Sequence, residues 1–301
     1  MKKCFLSQFA KTIILVITSV LFSCTSNDAD KEINNIKDTT FVNHSKDTKI
    51  NDETSYVLPS PAQVAIIYKK SGLKYYEGLT INTNDIQKYA NGNEYSSTFY
   101  LGMFTADMAY CMLNQQAENS KKYYKASKIL AEKIGLIQVF NNKNIIERID
   151  RNILKQDSMI TILSNIQSDI EDILVQEHKE YISPIAFSGA WIESIYLAAS
   201  VYEKSDKKDI NYNLMFEQIL IARNLIKSLN SIDTKDEFLN QVINDIQSIY
   251  DVFFELNSVK EFVKGKEIED VDLSKLSLTS SEIKTLIDKI KNIRNNYVSK
   301  K

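Results

Sequence analysis

Glycine and proline are scarce in this chain, whose 301 residues include 7 Gly and 3 Pro. Together these two residues ordinarily make up about 12% of a protein. All-β sandwiches and barrels need both at their many turns, and doubly wound folds need glycine-rich phosphate loops, so the scarcity argues against both classes. Hydrophobic residues make up 44% of the chain, which is enough for a core and excludes disorder of the whole chain. The composition predicts an all-α protein.

Cysteine and histidine are also rare, with 3 Cys and 2 His. His44 lies in a polar region and His178 lies among charged residues, and neither has the spacing to other ligands that helical metal sites use, so we predict no metal site. Cys111 lies in an apolar stretch, which is typical of a small core residue. No nucleophile elbow, phosphate-binding loop or dinucleotide fingerprint occurs. We therefore predict no catalytic residue and no cofactor, although the sequence leaves catalysis open.

The first residues are typical of a secretory signal. Three lysines (Lys2, Lys3 and Lys11) precede an apolar run over 12–22, which ends at Ser23-Cys24. This run is shorter than the roughly 20 residues that a membrane-spanning helix needs. A charged start, a short apolar middle and a small residue before a break are the layout of a cleaved signal peptide, which we place at 1–23.

The end of this signal resembles the lipobox of bacterial lipoproteins, with Leu21-Phe22-Ser23-Cys24 as the matching residues. Phe22 departs from the small residue usual at its position. The resemblance implies cleavage before Cys24, which then carries acyl chains such as palmitate. Each buried CH₂ contributes roughly 0.8 kcal/mol, so several chains make a durable membrane anchor. The alternative is an ordinary signal that ends at an incidental cysteine.

Cleavage would remove three lysines and no acid, leaving 34 positive and 39 negative groups. This excess of negative charge argues against a nucleic-acid partner. Residues 24–56 are mostly polar and predict a disordered tether with a reach of roughly 30 Å. Its acids Asp28, Asp30 and Glu32 resemble the tag that directs some gram-negative lipoproteins to the outer face of the outer membrane. We therefore expect a protein lipid-anchored to the outer membrane, at its periplasmic face or on the cell surface.

The folded body is expected over 57–263, followed by a polar link and a C-terminal amphipathic helix over 264–301. Caps and apolar spacing predict a bundle of about 7–9 helices. Thr279 and Glu282 have the spacing of a capping box for the last one. The apolar stripe from Ile146 to Ile173 predicts either one long helix or two that meet near 156–158. The other predicted helices are 61–71, 98–116, 120–134, 185–203, 211–229 and 236–257.

A weak internal repeat relates two of these helices. Gly102-Met103-Phe104-Thr105 aligns with Gly189-Ala190-Trp191-Ile192, 87 residues further on. A second and a third helix follow each of the two segments. This order is that of two three-helix units related by pseudo-symmetry, and the alternative is a chance similarity between buried helices.

Helices 98–116 and 185–203 are apolar on all sides, which predicts that they form the centre of the body. Each carries one acid in its middle, Asp107 and Glu193. An acid in apolar surroundings is costly unless it is paired. One interpretation is a shared polar spot lining an interhelical ligand pocket with Trp191 and Tyr110. The other is that each acid forms a structural ion pair or reaches solvent.

Tyrosines are concentrated in a polar stretch before the first central helix. Such tyrosines can form a recognition surface, or they can cover the end of a bundle with their rings while their hydroxyls reach polar partners. We favour the covering role. The aromatic set comprises six tyrosines and one phenylalanine: Tyr68, Tyr75, Tyr76, Tyr89, Tyr95, Phe99 and Tyr100.

The body resembles uncharacterised all-helical lipoproteins of gram-negative bacteria, a resemblance that implies no activity. The matching segments are Leu58 to Pro61, Ser71 to Tyr75, Leu101 to Leu113 and Ala186 to Glu193. Two hypotheses follow. The first is a non-enzymatic, membrane-anchored module that binds a protein partner or supports an envelope complex. The second is a small-ligand binder or enzyme with its site near Asp107 and Glu193.

Overall fold

A computed structural model describes residues 74–140, 144–205, 208–266, 271 and 275–299. Throughout these ranges the chain is helical or irregular, without a strand, which confirms the all-α prediction. The signal, Cys24, the tether and helix 61–71 lie outside the described residues. A 3₁₀ turn, Thr83–Asp85, comes first. The α-helices are α1 (Ile86–Ala90), α2 (Glu94–Leu113), α3 (Ala117–Lys133), α4 (Ile137–Phe140), α5 (Asn144–Asn152), α6 (Gln156–Gln176), α7 (Ile182–Lys204), α8 (Lys208–Asn230), α9 (Glu237–Glu255), α10 (Asn257–Val263) and α11 (Ser280–Ser299).

The described helices slightly exceed the expected number because α1, α4 and α10 are short and carry no periodic signal of their own. The long apolar stripe is two helices, α5 and α6, and the break lies at residues 153–155. Helix α2 begins earlier than predicted, since Asn93 caps it by accepting a hydrogen bond from the Ser96 N–H. Helix α7 also begins earlier, because Pro184 lies in its first turn, where a backbone N–H needs no helical partner.

Helices α2 and α7 pack directly against each other at the centre of the body, as predicted. Two glycines allow this close approach. A Cβ on Gly102 would lie 1.8 Å from the Ala186 carbonyl oxygen, and a Cβ on Gly189 would lie 1.8 Å from the Phe99 carbonyl oxygen. The two backbones are therefore in contact at the crossing, where no larger residue fits.

The crossing is reciprocal. Gly102 faces the carbonyl of Ala186, three residues before Gly189, and Gly189 faces the carbonyl of Phe99, three residues before Gly102. The two glycines are 87 residues apart, and so are Phe99 and Ala186. Around this centre, α3 packs on α2 and α8 packs on α7. Helix α6 contacts α2, and α9 contacts α7. The packing thus follows the order expected of two three-helix units.

Helix α7 is long and apolar enough to span a bilayer by length and composition, but 72% of its apolar stretch is buried inside the body. It packs mainly against α2, α8 and α11. Burial against these helices accounts for its composition, since a core helix is apolar on all sides.

Three of the described tyrosines, Tyr89, Tyr95 and Tyr100, hold the end of α11 and the loop before α9 through their hydroxyls. The hydroxyl of Tyr89 donates to the Val298 carbonyl at 3.3 Å, and that of Tyr100 donates to the Tyr297 carbonyl at 3.0 Å. Both acceptors lie in the last turn of α11, where helical carbonyls have no partner within the helix. The Tyr95 hydroxyl likewise donates to the Thr234 carbonyl at 2.7 Å. These side chains therefore fix helix ends and loops.

Candidate functional site

Asp107 and Glu193, for which a shared polar spot and separate structural ion pairs were the two interpretations, are neighbours in the centre of the body. Both side chains are fully buried, and Glu193 is within hydrogen-bonding reach of Asp107. Asp107 lies five residues after Gly102, and Glu193 lies four after Gly189, so the pseudo-symmetry of the crossing does not make them equivalent. The two acids consequently have different partners.

Glu193 forms a two-point ion pair with Arg294 of α11. Arg294 Nε donates to Glu193 Oε2 at 2.9 Å, and Nη2 donates to Oε1 at 2.8 Å. The guanidinium also lies over the Tyr196 ring, 4.0 Å from its centroid. Burial disfavours the charge on Arg294, but the neighbouring Glu193 and Asp107 outweigh this effect and raise the pKa of Arg294. Both side-chain oxygens of Glu193 are therefore engaged by one fixed guanidinium.

Asp107 has no such counter-charge of its own. Its Oδ2 accepts a hydrogen bond from the Ile81 N–H at 2.8 Å, and its Oδ1 has no hydrogen-bond donor among the described residues. Burial and the adjacent Glu193 carboxylate raise the pKa of Asp107 well above its usual value, although Arg294 and the Ile81 N–H oppose this. A protonated Asp107 can donate to Glu193, and the cluster of two acids and one arginine is then neutral.

Arg294, Tyr110 and Asp107, together with Tyr123, hold an irregular segment of the chain, residues 74–81, which turns at Gly78. Arg294 Nη2 donates to the Leu79 carbonyl at 3.2 Å, and the Tyr123 hydroxyl donates to the Ile81 carbonyl at 2.6 Å. The Tyr110 hydroxyl donates to the Lys74 carbonyl at 2.8 Å and accepts from the Tyr76 N–H, also at 2.8 Å. Asp107, Glu193, Arg294 and Tyr110 thus form a binding site whose occupant is the protein's own backbone.

A separate cavity lies between α2, α6 and α7, and we call it the interhelical cavity. Its volume is about 110 Å³, several times the roughly 10–15 Å³ that one water molecule requires. Trp191 lines it, whereas Asp107, Glu193 and Tyr110 do not. Its remaining walls are mostly apolar: Leu101, Gly102, Ala106, Met108, Ala109, Leu136, Leu163, Ile166, Ile170, Leu174, Ile182, Ala186, Phe187 and Ala190.

Several lining residues are half-buried and lie where the interhelical cavity meets solvent, among them Ala109 on α2, Ile170 on α6 and Phe187 on α7. None of the described lining residues is ionisable. The polar ones are Thr105, Gln167, Ser183, Ser194 and Gln218. The Thr105 hydroxyl is engaged by its own helix, where it donates to the Gly102 carbonyl at 2.8 Å. The cavity is therefore an apolar space with few polar groups to orient a ligand.

Gln218 of α8 is the polar residue that the sequence analysis missed. It is 1% exposed, and neither its Oε1 nor its Nε2 has a hydrogen-bond partner within the described part of the chain. Its backbone carbonyl accepts from Trp191 Nε1 at 2.9 Å, which fixes residue 218 against α7. A buried amide without partners is costly, and here both of its polar atoms are closed off from solvent and from the cavity.

Cys111 and His178 occupy positions consistent with the sequence analysis. Cys111 is fully buried and unpaired, and burial raises the pKa of its thiol, which keeps it protonated. His178 is exposed just after α6, in the left-handed region with φ of 55°. Among the described residues no cluster of three His, Cys, Asp or Glu side chains could hold a metal ion.

Comparison with family models, curated proteins and solved structures gave no match to this chain. The functional argument therefore rests on the interhelical cavity and on the buried polar cluster.

Proposed function

We propose that this chain is a lipid-anchored helical protein of the outer membrane whose body binds a small apolar molecule in the interhelical cavity. The observation that supports ligand binding is an apolar cavity that reaches the surface beside Ala109, Ile170 and Phe187. Binding sites for small molecules are concave, mostly apolar and equipped with few polar groups. An engineered apolar cavity of about 150 Å³ binds benzene, so the volume here is of a suitable order.

The buried acids do not favour catalysis in this proposal. Glu193 is neutralised by Arg294, and Asp107 contacts the Ile81 backbone. A general acid or base must reach the proton that it transfers. The segment over 74–81 occupies the polar side of this cluster, which supports a structural role for both acids.

Ligand binding is tested by blocking the cavity. Ala109 is a half-buried lining residue, so Ala109→Phe places a ring at the mouth without adding one to the deep core. Ala117→Phe is the matched control, since Ala117 is half-buried at the start of α3 and outside the cavity walls. Toluene binding, measured by ligand-observed NMR, is expected in the wild type and the control but at least 10-fold weaker in Ala109→Phe. Equal binding by all three proteins would refute the proposal.

The membrane anchor requires its own test. Cys24→Ser removes the thiol that the lipobox resemblance assigns to acylation. We expect the wild type to incorporate labelled palmitate and to fractionate with the outer membrane, and the variant to do neither. Extraction of the wild type by salt alone, without detergent, would contradict lipid anchoring because acyl insertion does not depend on charge.

Protein binding is the second proposal, and two exposed apolar side chains favour it. Leu154 between α5 and α6 is 75% exposed, and Val175 near the end of α6 is 59% exposed. The two residues lie at opposite ends of α6, about 30 Å apart, so they do not form one contiguous apolar patch and each is a separate candidate contact. If they serve a partner in the envelope, Leu154→Asp combined with Val175→Asp should abolish its cross-linking while toluene binding persists. Unchanged cross-linking would exclude these residues from the contact.

A further inference from the structure

We propose that helix α3 presents a basic surface that docks onto the anionic headgroups of the membrane to which the protein is anchored. The proposal rests on the lipid anchor of the proposed function and adds the face of the body that meets the lipid. Two observations support it: the lysines on one side of α3, and the place where the N-terminal chain joins the described body.

The first observation concerns charge. Helix α3 contains five lysines and two glutamates, a surplus of three positive charges in a protein that has more acids than bases. Lys122, Lys125 and Lys133 are exposed, and Lys128 is half-buried. Their spacing places them on one side of the helix. We call these four residues the lysine face.

The lysine face has no carboxylate partner among the described residues, although Glu132 lies on the same helix. Its one polar contact in that part of the chain joins Lys122 Nζ to Asn119 Oδ1 at 3.4 Å. The other acid of α3, Glu118, is bound to Lys121 at 2.5 Å. The positive charges of the lysine face are therefore left for an external anionic partner.

The second observation concerns the tether. The first described residues, Lys74 and Tyr75, lie beside the start of α3, because Asn119 Nδ2 donates to the Tyr75 hydroxyl at 3.0 Å. The same Asn119 side chain contacts Lys122 of the lysine face. The chain that leads to the anchor thus joins the body next to the lysine face. A tether with a reach of roughly 30 Å allows this face to meet the membrane.

Acyl chains that already hold the protein make docking of the body an intramolecular event, so a few weak contacts are enough to orient it. Each lysine near an anionic surface shifts the ratio of docked to undocked protein roughly fivefold, the equivalent of about 1 kcal/mol. Such attraction requires anionic lipid and is screened by salt, since the Debye length falls from about 10 Å at 0.1 M to about 3 Å at 1 M.

Fluorescence quenching in vesicles tests the docking. A dye is attached to Glu132→Cys on α3 or, as a control, to Asn244→Cys at an exposed position of α9; Cys111 is buried and does not compete. The mature acylated protein is inserted into vesicles that contain a nitroxide-labelled lipid. They consist of phosphatidylcholine alone or of an equimolar mixture with phosphatidylglycerol.

At low salt we expect phosphatidylglycerol to increase quenching of the dye at residue 132 by at least about twofold and to leave the dye at residue 244 unchanged. High salt should abolish the increase. Equal quenching at residue 132 in the two kinds of vesicle would overturn the proposal. Retention on neutral vesicles after a high-salt wash depends on the acyl chains alone, so its loss would refute the anchor, while the effect of phosphatidylglycerol still decides the docking.

A triple substitution assigns the effect to the lysine face. Lys122→Gln, Lys125→Gln and Lys128→Gln together should lower the ratio of docked to undocked protein roughly fivefold for each lysine removed. The matched control removes the same charge at exposed positions in other parts of the chain and should dock like the wild type. Equal losses in the two triple variants would show that net charge, and not the lysine face, governs docking, and would overturn the proposal. The control substitutions are Lys155→Gln, Lys264→Gln and Lys284→Gln.

Discussion

Asp107 and Glu193 differ in role although they lie in equivalent helices. Glu193 has both oxygens on the Arg294 guanidinium, and Asp107 has one on the Ile81 N–H. Two adjacent buried carboxylates cannot both stay charged with a single cation to balance them. The acid without its own cation is the one that stays protonated, and this acid is Asp107.

Replacement of Asp107 by Asn tests this protonation. The unfolded chain releases the Asp107 proton near pH 4, whereas the folded protein retains it to a higher pH. The wild type therefore loses stability as pH rises from about 4 towards the folded pKa, by up to about 1.4 kcal/mol per pH unit. Asn keeps an acceptor for Ile81 and a donor for Glu193 but does not titrate. The free energy of unfolding of Asp107→Asn, relative to wild type, should thus increase with pH in urea melts at pH 5, 6 and 7.

The control for this titration is Asp85→Asn, because Asp85 is exposed and its side chain makes no cap hydrogen bond to α1. Its difference from wild type should stay constant across the same pH values. A constant difference for Asp107→Asn as well would show that Asp107 is already ionised in the folded protein.

At this scale the sequence singled out the two acids, since each interrupts an otherwise apolar helix, but it left open whether they share a polar spot or form separate ion pairs. It did not predict their partners. Arg294 lies on the polar-looking sequence of α11, 101 residues from Glu193, and the acceptor of the Arg294 Nη2 bond is a backbone carbonyl. The burial of Gln218 could not be predicted from the sequence, because a single glutamine in an amphipathic helix is ordinarily exposed.

The α2–α7 crossing is the element-scale feature that depends most on single residues. Gly102 and Gly189 place helix backbone against helix backbone. Such proximity brings Cα–H groups close to carbonyl oxygens and increases packing contacts. The rest of the body packs around this pair, so any separation of α2 from α7 propagates to α3, α8 and α11.

Gly102→Ala should therefore destabilise the protein strongly. The new methyl would lie 1.8 Å from the Ala186 carbonyl oxygen, and a backbone atom of a central helix has little room to move. We expect a loss of about 3 kcal/mol in the free energy of unfolding, typical of severe overpacking. Gly78→Ala is the control, since its φ of 80° is unfavourable for alanine but nothing lies within 4 Å of the added methyl. That change should cost about 1 kcal/mol, and equal losses in urea denaturation would contradict the close crossing.

The capping box of α11 was predicted from sequence and is confirmed. Glu282 Oε2 accepts from the Thr279 N–H at 2.9 Å. The structure adds a partner, since Ser258 of α10 donates its N–H to Glu282 Oε1 at 2.8 Å and its hydroxyl to Oε2 at 2.7 Å. Spacing reveals the local bond but not the contact between helices. Glu282 therefore both caps α11 and joins it to α10.

Acid titration tests this junction. Hydrogen bonds from Ser258 and Thr279 lower the pKa of Glu282 to about 2, whereas the unfolded value is about 4.3. The stabilisation is present above the unfolded pKa and is lost as pH falls towards 2. Since Glu282 is partly exposed, we expect the wild type to exceed Glu282→Gln by only about 1 kcal/mol at pH 6, and by nothing at pH 2. The control is Glu261→Gln, an exposed substitution in α10, which should change the thermal stability little at either pH. If the stability difference between wild type and Glu282→Gln persists at pH 2, the ionised Glu282 carboxylate is not the source of the stabilisation.

For the whole molecule, the sequence was sufficient for the fold class and the central helix pair. Scarce glycine and proline indicate helices, and the two helices without a polar face must lie inside. The interhelical cavity could not be predicted in this way. The cavity exists because the side chains of α2, α6 and α7 do not fill the space between these helices. The spacing of apolar residues along a helix indicates which face is buried, but not how closely that face packs against its neighbours.

The most direct test of the account is to locate a bound ligand within the folded body. Ile166, Ile170 and Ile182 line the interhelical cavity, whereas Ile246 of α9 and Ile290 of α11 are buried outside its walls. In a protein with labelled isoleucine methyl groups, titration with toluene should shift the first three signals saturably and leave the other two unchanged. Absent shifts, or equal shifts of all five methyl groups, would contradict ligand binding in this cavity.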